Sequence, residues 1–295
     1  METKTFYDKG MDNDYSFIKD LKIAEEYLGL TRKDLSNALQ TNTMTLYRWE
    51  KGEVSPNALS LERFYSFLYK RGIRLNQIKA ELWKEETKDD ILIFHGAKEG
   101  IKGPLSKERS RPNNDFGQGF YCGESFEQSV SFVASFHFSS AYIFSFKEAG
   151  LKRSLFNVDR EWMLAIAYFR GHLNKYANSS IIQNIKAKVK EADYLVAPIA
   201  DNRMFEIIGE FISGEITDEQ CRHCLAAIDL GRQFILLSPK ALKSAVQLEH
   251  CYLCEDEKRY YLSLREKAEK VEADKVKIAR AQYRGQGLYI EGCFK

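Results

Sequence analysis

Hydrophobic residues recur with helical spacing through the N-terminal part of the chain. Leu35 and Leu39 lie four positions apart, the period that brings side chains onto one face of an α-helix. Thr31 stands where it can cap this helix, and Asn42 stands where it can cap the next one. Ser55-Pro56 indicates the start of a further helix, because proline fits the first helical turn. The pattern therefore predicts an all-helical N-terminal domain.

The pattern changes after the polar residues 85–90, which lack apolar side chains and are interpreted as a linker. Residues 91–94 and 141–146 are largely apolar, as in buried strands. Residues 159–170 have the spacing of an amphipathic helix. Strands that alternate with helices, after a purely helical start, predict the α+β class. The expected domains are residues 1–86, with a helical core at 17–84, and residues 87–295.

A long charged segment, residues 255–284, is predicted to form a surface helix. Pairs such as Arg265 and Glu269 suit a solvated helix face. The segment also carries a narrow apolar stripe, formed by Leu264, Ala268, Val271 and Ile278. We expect the helix to lie over the core of the second domain, and a coiled-coil partner is the alternative.

The overall composition narrows the classes of partner. Lys and Arg number 44 and Asp and Glu number 42, so the net charge is close to zero. Binding to nucleic acid would then depend on a local patch and not on the charge of the whole chain. No apolar run approaches the roughly 18 residues of a membrane span, and residues 1–15 lack the apolar core of a signal peptide. We therefore expect a cytoplasmic protein without a membrane partner.

Four of the six cysteines form two C-x-x-C pairs, Cys221 with Cys224 and Cys251 with Cys254. Such pairs are typical of zinc sites. The first pair, however, lies in a predicted helix with apolar neighbours, where a cysteine behaves as a small hydrophobic residue. The separation between the pairs also exceeds that of a zinc ribbon. Thiols are therefore expected at these positions, and zinc is the less favoured alternative.

The strongest sign of a binding site is a glycine-containing loop at residues 111–121, which leads into a predicted strand. Gly117 and Gly119 let the backbone approach a ligand closely. Asp115 suits the turn that precedes them. Tyr121 offers a flat ring, and His95 on another predicted strand offers an imidazole. Together they predict a clamp for a flat, hydrogen-bonding ligand such as nicotinamide.

These residues resemble the ADP-ribosyltransferase-like family catalogued as DUF3990. The resemblance rests on His95-Gly96 together with Asp115-Phe116-Gly117-Gln118-Gly119-Phe120-Tyr121. Supporting similarities lie at residues 192–201, 233–235 and 284–290, so the likeness covers roughly residues 90–293. It implies a split β-sheet domain with surrounding helices, which binds NAD as a substrate.

The resemblance also implies a role for each matching residue. His95 would bind the nicotinamide-side ribose, the Gly96 backbone would hold the carboxamide, and Tyr121 would stack on the nicotinamide ring. Gln233 would lie near the ribose 2′-hydroxyl. With His95, Tyr121 and Gln233 as the catalytic residues, the remaining cofactor-binding candidates are Gly96, Arg109, Arg111, Asp115, Gly117 and Gly119.

Gln233 departs from the glutamate that transferases of this type often carry. An amide can orient a hydroxyl but cannot act as a base. The acceptor then needs no base from this position, or another carboxylate such as Asp115, Asp201 or Glu206 contributes. A third possibility is that the domain binds NAD without turning it over.

The N-terminal helices resemble the Cro/repressor-type helix-turn-helix family, in a match that ends at Arg48-Trp49-Glu50-Lys51-Gly52. Gln40 stands where the turn of that family often carries glycine. An arginine can contact guanine and a methyl-bearing side chain can contact thymine, which fits the proposed recognition positions. The alternative is a helix bundle that mediates dimerisation or protein docking. The implied groove-facing residues are Thr43, Met44 and Arg48, the phosphate neighbours are Thr45 and Tyr47, and the core residues are Leu46 and Trp49.

The combined expectation is an NAD-dependent ADP-ribosyltransferase effector, of toxin or anti-phage type in a bacterial setting, with a DNA-binding helix-turn-helix domain. Its expected partners are NAD, DNA, a macromolecular acceptor of unknown class, a second copy of the chain and a cognate antitoxin. One alternative is a transcriptional regulator that senses NAD or ADP-ribose without turnover. Another is an NAD glycohydrolase, with water as the acceptor.

Overall fold

The N-terminal part is built from five helices. The computed structural model describes residues 15–229 and 231–295. Residues 1–14, which belong to the segment predicted to lack a signal peptide, lie outside the described residues. The centre of the helical core is formed by Leu21, Leu35, Leu46, Phe64 and Leu68. The helices are α1 (Phe17–Leu28), α2 (Arg32–Ala38), α3 (Thr43–Glu50), α4 (Ala58–Lys70) and α5 (Leu75–Glu86).

The helix starts follow local capping chemistry. Thr31 accepts the amide of Asp34, which confirms the predicted cap, and the Asp34 side chain completes a capping box at the start of α2. Asn42 caps α3 by accepting the amide of Thr45 at 2.7 Å, which confirms the predicted cap. The start predicted at Ser55-Pro56 is wrong, because α4 begins two residues after the proline, where the Asn57 side chain accepts a backbone amide.

The predicted linker is shorter than expected. Glu85 and Glu86 continue α5, and the hydroxyl of Thr87 donates to the carbonyl of Trp83 at 2.6 Å to close that helix. Asp90 then accepts a hydrogen bond from Ser145 of the sheet. The polar composition of residues 85–90 reflects a solvated helix end, a composition that a linker shares.

A seven-stranded mixed sheet forms the centre of the C-terminal part, in agreement with the α+β class. The strand order is β4-β5-β6-β2-β1-β3-β7; β4 and β5 are parallel and every other neighbouring pair is antiparallel. The edge strands β4 and β7 were not predicted from the sequence. The strands are β1 (Ile91–Ala97), β2 (Phe120–Gly123), β3 (Ser140–Phe146), β4 (Arg153–Leu155), β5 (Tyr194–Pro198), β6 (Arg232–Leu236) and β7 (Ala245–Tyr252).

The sheet is nearly divided between β1 and β2. These two strands share one register pair, Phe94 with Gly123, whereas β1 pairs with β3 along its whole length. Gly123 also pairs with Gln233 of β6, so three strands meet at this glycine. The weak pairing separates a β7-β3-β1 half from a β2-β6-β5-β4 half, and the seam between them is where a ligand can approach the backbone.

Seven α-helices surround the sheet in the described part of the chain, which also contains two short 3-10 helices. α7, α9 and α10 pack into the largest core, around Trp162, Ile208 and Cys221. In the part of the chain that the structure describes, no helix is both long and apolar enough to cross a membrane. The helices are α6 (Phe126–Ser131), α7 (Arg160–Phe169), α8 (Ser180–Glu191), α9 (Asn202–Ile212), α10 (Asp218–Ala226), α11 (Pro239–Ser244) and α12 (Glu255–Gln282).

The predicted helix at residues 255–284 exists, but its apolar stripe does not face the core. Leu264, Val271 and Ile278 are 39%, 59% and 66% exposed. The buried positions are Tyr261 and Ala279, together with Glu257, Lys258 and Glu272. Burial of the charged residues is possible because they have partners, such as Arg203 for Glu272 at 2.9 Å.

A buried ionic cluster joins the helical part to the sheet. The ammonium group of Lys79 on α5 lies 2.9 Å from the carboxylate of Asp20 on α1 and 3.1 Å from that of Glu249 on β7. All three side chains are at most 2% exposed. Tyr65 donates to Asp20 at 2.7 Å, and the indole of Trp83 donates to Glu249 at 3.0 Å. The cluster therefore contains the paired charges and hydrogen bonds that burial requires.

The pKa values reflect this pairing. Burial acts to raise the pKa of Glu249, but Lys79 and hydrogen bonds from Ser16 and Trp83 outweigh it and lower the pKa to about 2. Burial acts to lower the pKa of Lys79, and the charge of Asp20 together with that of Glu249 reverses the effect and raises it. Both groups are therefore charged at neutral pH.

Replacement of Lys79 by Met should destabilise the whole chain. Asp20 would lose its counter-ion and Glu249 would retain that of Lys19 alone, and breaking a buried pair costs about 3–5 kcal/mol. Lys84→Met is the matched control, because Lys84 is 72% exposed and its pair with Glu81 is worth well under about 1 kcal/mol. Denaturant unfolding measures both free energies, and equal small losses would contradict a structural role for the cluster.

Candidate functional site

A cleft of about 1150 Å³ opens at the seam of the sheet. It is lined by His95 from β1, Tyr121 from β2 and Gln233 from β6, which are neighbouring strands. The three residues predicted to act on NAD are therefore brought to one cavity, although they lie far apart in the sequence. Asp115 from the loop before β2 and Arg170 from the end of α7 complete its inner wall.

His95 is held in one orientation. Its Nδ1 lies 2.7 Å from the carbonyl oxygen of Tyr121, and its ring stacks on Phe120 with centroids 4.5 Å apart. A carbonyl oxygen accepts, so Nδ1 carries the proton. Burial lowers the pKa of His95, and the hydrogen bond to Tyr121 opposes that shift. The neutral ring is left with Nε2 as an acceptor that has no protein partner among the described residues.

Asp115 is the most highly coordinated group in the cleft. One oxygen accepts from Arg170 at 2.6 and 3.0 Å, through two nitrogens of the same guanidinium. The other oxygen accepts from Gln233 at 2.9 Å and from the amide of Ala200 at 3.3 Å. The carboxylate is 7% exposed. Its charge is balanced and its lone pairs are occupied, so it is a structural anchor and not a free base.

Gln233 has its amide orientation fixed by these contacts. Its Nε2 donates to Asp115 and to the carbonyl of Pro198 at 3.0 Å. Both partners are pure acceptors, so the nitrogen must point at them and the oxygen must point away. Both N–H groups are thereby used. Gln233 presents its Oε1 to the cleft as a neutral acceptor, without a partner among the described residues.

Tyr121 fixes the loop as well as lining the cleft. Its hydroxyl donates to the carbonyl of Gly117 at 2.7 Å and accepts from the amide of Phe116 at 3.1 Å. Burial, followed by the nearby charge of Asp115, raises the pKa of Tyr121. The phenol is therefore neutral and contributes a ring to the cleft, while its oxygen is already occupied.

The glycines of the motif are explained by the protein itself. Gly117 has a φ of +78°, a left-handed conformation that favours glycine. A Cβ on Gly119 would lie 2.4 Å from the side chain of Ile235. A Cβ on Gly96 would lie 2.2 Å from the carbonyl of Ser129 on α6. At Gly119 the close neighbour is thus Ile235 of β6, while Gly119 itself lines the cleft, and its role in binding a ligand stays a prediction.

Positive charges line the outer part of the cleft. Arg109 and Arg111, two of the predicted cofactor-binding residues, are exposed there, and Arg109 also donates to the carbonyl of Lys102. Two further arginines line the cleft and were missed by sequence reasoning, Arg170 and Arg265. They come from α7 and α12, and no local motif marks them. Their pairing with aspartates, Arg170 with Asp115 and Arg265 with Asp201, arises from the tertiary fold.

The remaining carboxylates suggested as bases differ in position. Asp201 lines the cleft, but it caps α9 by accepting the amide of Met204, and Arg203 and Arg265 lie 3.3 and 3.8 Å from it. Glu206 is exposed on α9 and does not line the cleft. Within the described residues, Glu99 at the outer edge is the cleft carboxylate without an ion-pair partner.

The helix assigned to DNA recognition presents most of its predicted residues to solvent. Thr45 is half-buried, and its hydroxyl donates to the capping side chain of Asn42 at 3.0 Å. Gln40, in the turn before this helix, adopts a left-handed φ of 53° that glycine would adopt more easily. The exposed residues are Thr43, Met44, Tyr47 and Arg48, and the buried ones are Leu46 and Trp49, as predicted for the core.

The cysteine pairs lie in different cores. Cys221 and Cys224 are buried beneath α10, where each thiol faces a backbone carbonyl at 3.7 Å. Cys251 packs against α6 and β3, and Cys254 against the N-terminal helices. Within residues 15–229 and 231–295, no group of three or more potential ligands is arranged to hold a metal ion.

Tyr121→Phe should loosen the loop and keep the ring. The substitution removes one donor and one acceptor bond, and it leaves the Gly117 carbonyl and Phe116 amide without that partner. We expect a loss of about 1–3 kcal/mol in the free energy of unfolding. Tyr289→Phe, at a 53% exposed position, is the matched control and should change little. Hydrogen exchange at residues 114–119 provides a local measurement, and unchanged protection there would refute the anchoring role.

Comparison with known proteins gives one match. A family model described as a protein of unknown function (DUF3990) matches residues 91–247, more than half of the chain. No curated protein and no solved structure matches this chain. The predicted resemblance at residues 284–290 lies outside the matched region, which ends at residue 247. The match includes His95, the glycine loop and Gln233, and the chain is a member of the DUF3990 family.

Proposed function

We propose that the C-terminal part is an ADP-ribosyltransferase that cleaves the bond between nicotinamide and ribose in NAD. The supporting observation is the convergence of His95, Tyr121 and Gln233, from three adjacent strands, on one cleft. The cleft has a volume of about 1150 Å³, which is sufficient for a dinucleotide. Its chemistry also fits, because cations at the outer edge suit a pyrophosphate and acceptors at the centre suit ribose hydroxyls.

Each side chain has a role that follows from its available atoms. The unprotonated Nε2 of His95 accepts a hydrogen bond from a ribose hydroxyl. The Oε1 of Gln233 does the same for the 2′-hydroxyl, because the amide nitrogen is occupied by Asp115 and Pro198. Tyr121 offers the face of its ring to nicotinamide. These contacts orient the ribose and the leaving group, which is the main requirement for a reaction through an oxocarbenium-like state.

Neither Gln233 nor Asp115 is available in the cleft to act as a general base. Gln233 is neutral, and Asp115 is paired with Arg170 and accepts hydrogen bonds from two further donors, the amides of Ala200 and Gln233. The acceptor therefore attacks the anomeric carbon with its own lone pair and loses its proton to solvent. This favours an acceptor that is nucleophilic without prior deprotonation. If water is that acceptor, the protein acts as a glycohydrolase.

We propose in addition that α2 and α3 form a DNA-binding helix-turn-helix. The supporting feature is the exposure of Thr43, Met44 and Arg48 on a short helix whose opposite face is buried through Leu46 and Trp49. The side chain of Arg48 has no ion-pair partner among the described residues, so it is available to guanine or phosphate. Such domains usually act as dimers, which makes a second copy of the chain the expected partner.

A sensing regulator is the second candidate, and the buried ionic cluster favours it. Lys79 connects α5 to Glu249 of β7, which is separated from the strand of His95 by β3 alone. A ligand that shifts β1 relative to β2 could then alter the helical part through packed strands, provided that it binds the two arrangements differently. In this candidate NAD or ADP-ribose binds without release of nicotinamide.

Release of nicotinamide from labelled NAD tests the enzymatic proposal. We expect release by the wild-type chain, and a loss on the order of 100-fold in His95→Ala because the ribose is no longer oriented. Gln233→Glu should also lose activity, since a carboxylate there cannot donate to Asp115 and repels it. Gln247→Glu, on the exposed face of β7, is the matched control. Tight NAD binding without release would instead support the sensor.

Arg48→Ala should weaken binding to the cognate duplex by about 1–3 kcal/mol and relax its sequence preference. The substitution removes from α3 an exposed guanidinium that has no hydrogen bond or ion pair among the described residues. Lys84→Ala, an exposed cation on α5, should leave affinity unchanged. Electrophoretic mobility shifts with duplexes selected from a random pool provide the comparison, and equal affinity of the two variants would exclude α3 as the recognition helix.

A further inference from the structure

We propose that the acceptor of ADP-ribose is a single-stranded nucleic acid, which binds along one aromatic and basic edge of the cleft. The inference rests on the proposed transferase function, and it adds a class of substrate that the site motif does not specify. We call this edge the acceptor edge and define it by Phe132, Phe136, Phe138, Lys98 and Lys102. It is formed by the segment after α6 and the segment after β1.

The acceptor edge exposes three phenylalanine rings within seven residues. Phe132 and Phe136 line the cleft and are 38% and 37% exposed, and the neighbouring Phe138 is 72% exposed. The α6 positions just before them, Phe126 and Val130, are buried, so the segment contributes to the core with one set of side chains and exposes another. Exposed aromatic residues gathered at the mouth of a cavity indicate a binding surface for flat, apolar groups.

Cations accompany these rings. The ammonium group of Lys98 lies 4.1 Å from the ring centre of Phe136, and the guanidinium of Arg265 lies 5.5 Å from that of Phe132. Lys98 and Lys102 are exposed and have no ion pair among the described residues. Arg109 and Arg111 on the adjoining wall are likewise exposed and without an ion pair among the described residues, and the exposed carboxylates beside them are Glu99 and Glu108. The edge is therefore positively charged, although the chain as a whole is nearly neutral.

A single strand of nucleic acid fits both features. Each nucleotide combines a phosphate with a base whose face can stack on an aromatic ring, and this pairing of groups repeats along the strand. In a duplex the base faces are stacked on one another, so it could use the cations but not the rings. An acidic peptide would also satisfy the cations, but it would not in general place a flat ring beside each charge.

The proposed transfer is balanced without a base from the protein. The bond between C1′ of the ribose and the nicotinamide nitrogen breaks, and its electron pair leaves with nicotinamide, which becomes neutral. A ring nitrogen, exocyclic amine or hydroxyl of the strand donates a lone pair to C1′ and forms the new bond. The proton displaced from that atom passes to water. A weakly basic nitrogen has a lone pair available and needs no deprotonation before it attacks. Such an acceptor fits this cleft, because the central carboxylate, Asp115, is already bound by Arg170 and Gln233 and is not free to act as a base.

Binding is measured first, in the absence of NAD, with fluorescent single-stranded DNA and RNA of mixed sequence. The full chain carries Arg48→Ala throughout, so that the proposed recognition helix does not dominate the signal. We expect Phe138→Ala and Phe136→Ala each to weaken binding by about ten-fold, as the loss of one stacked base implies. Lys98→Ala should reduce the dependence of affinity on salt. Tyr289→Ala, at an exposed aromatic position away from the cleft, should have no effect.

Comparison of the affinities for single-stranded DNA and single-stranded RNA identifies which of the two is bound more tightly. Equal binding of duplex and single strand would overturn the proposal. Equal weakening by Phe138→Ala and Tyr289→Ala would overturn it as well, as would a lack of binding by both single strands. Phe138 is largely exposed, so its replacement should leave the fold intact, and an unchanged thermal transition checks this.

Transfer is then followed with NAD labelled in the adenylate part, while nicotinamide release is recorded in the same reaction. Label on the strand, lost in Phe138→Ala while release into water persists, supports the proposal. Release with label on protein or in free ADP-ribose overturns the acceptor and leaves the proposed cleavage of NAD intact. If no nicotinamide is released but the strand still binds in a way that depends on Phe138, the transferase function and the transfer step are overturned. That result would support the binding surface alone.

Discussion

The architecture of the cleft depends on the need to satisfy one buried carboxylate. Asp115 belongs to the loop before β2, and its partners come from the end of α7, from β6 and from the backbone after β5. These contacts attach the loop to three separate elements. They also turn the amide of Gln233, so that its oxygen faces the cavity. A substitution of Asp115 would therefore affect the loop, the orientation of Gln233 and the position of Arg170 together.

This arrangement gives a physical meaning to glutamine at position 233. A glutamate there would lie beside Asp115 with two like charges in a buried site, which costs free energy unless one is protonated. Glutamine avoids the repulsion and adds a donor. The cleft keeps an acceptor for a hydroxyl and loses a base. The choice of residue is thus coupled to Asp115.

The seam between β1 and β2 and the cluster around Lys79 have complementary effects. At the seam, β1 and β2 share one residue pair, fewer than any other neighbouring strands of the sheet, and the cleft opens there. Backbone hydrogen bonds therefore constrain this boundary less than the other strand pairs. The cluster binds α1 and α5 to β7 through charges that are costly to separate once they are buried. The helical part of the chain, which carries Arg48 on α3, is consequently attached through α1 and α5 to the β7-β3-β1 half of the sheet, and Asp115 belongs to the other half.

Local chemistry in the sequence determined the N-terminal helices, the caps at Thr31 and Asn42, and the strands that carry His95 and Tyr121. Each of these depends on neighbouring residues or on short hydrophobic periods, which a sequence displays directly. The tertiary structure decided the pairing of Asp115 with Arg170, the amide orientation of Gln233, the outward stripe of α12 and the short strand β4. These features depend on groups brought together from distant positions, because burial and charge pairing are properties of the folded chain.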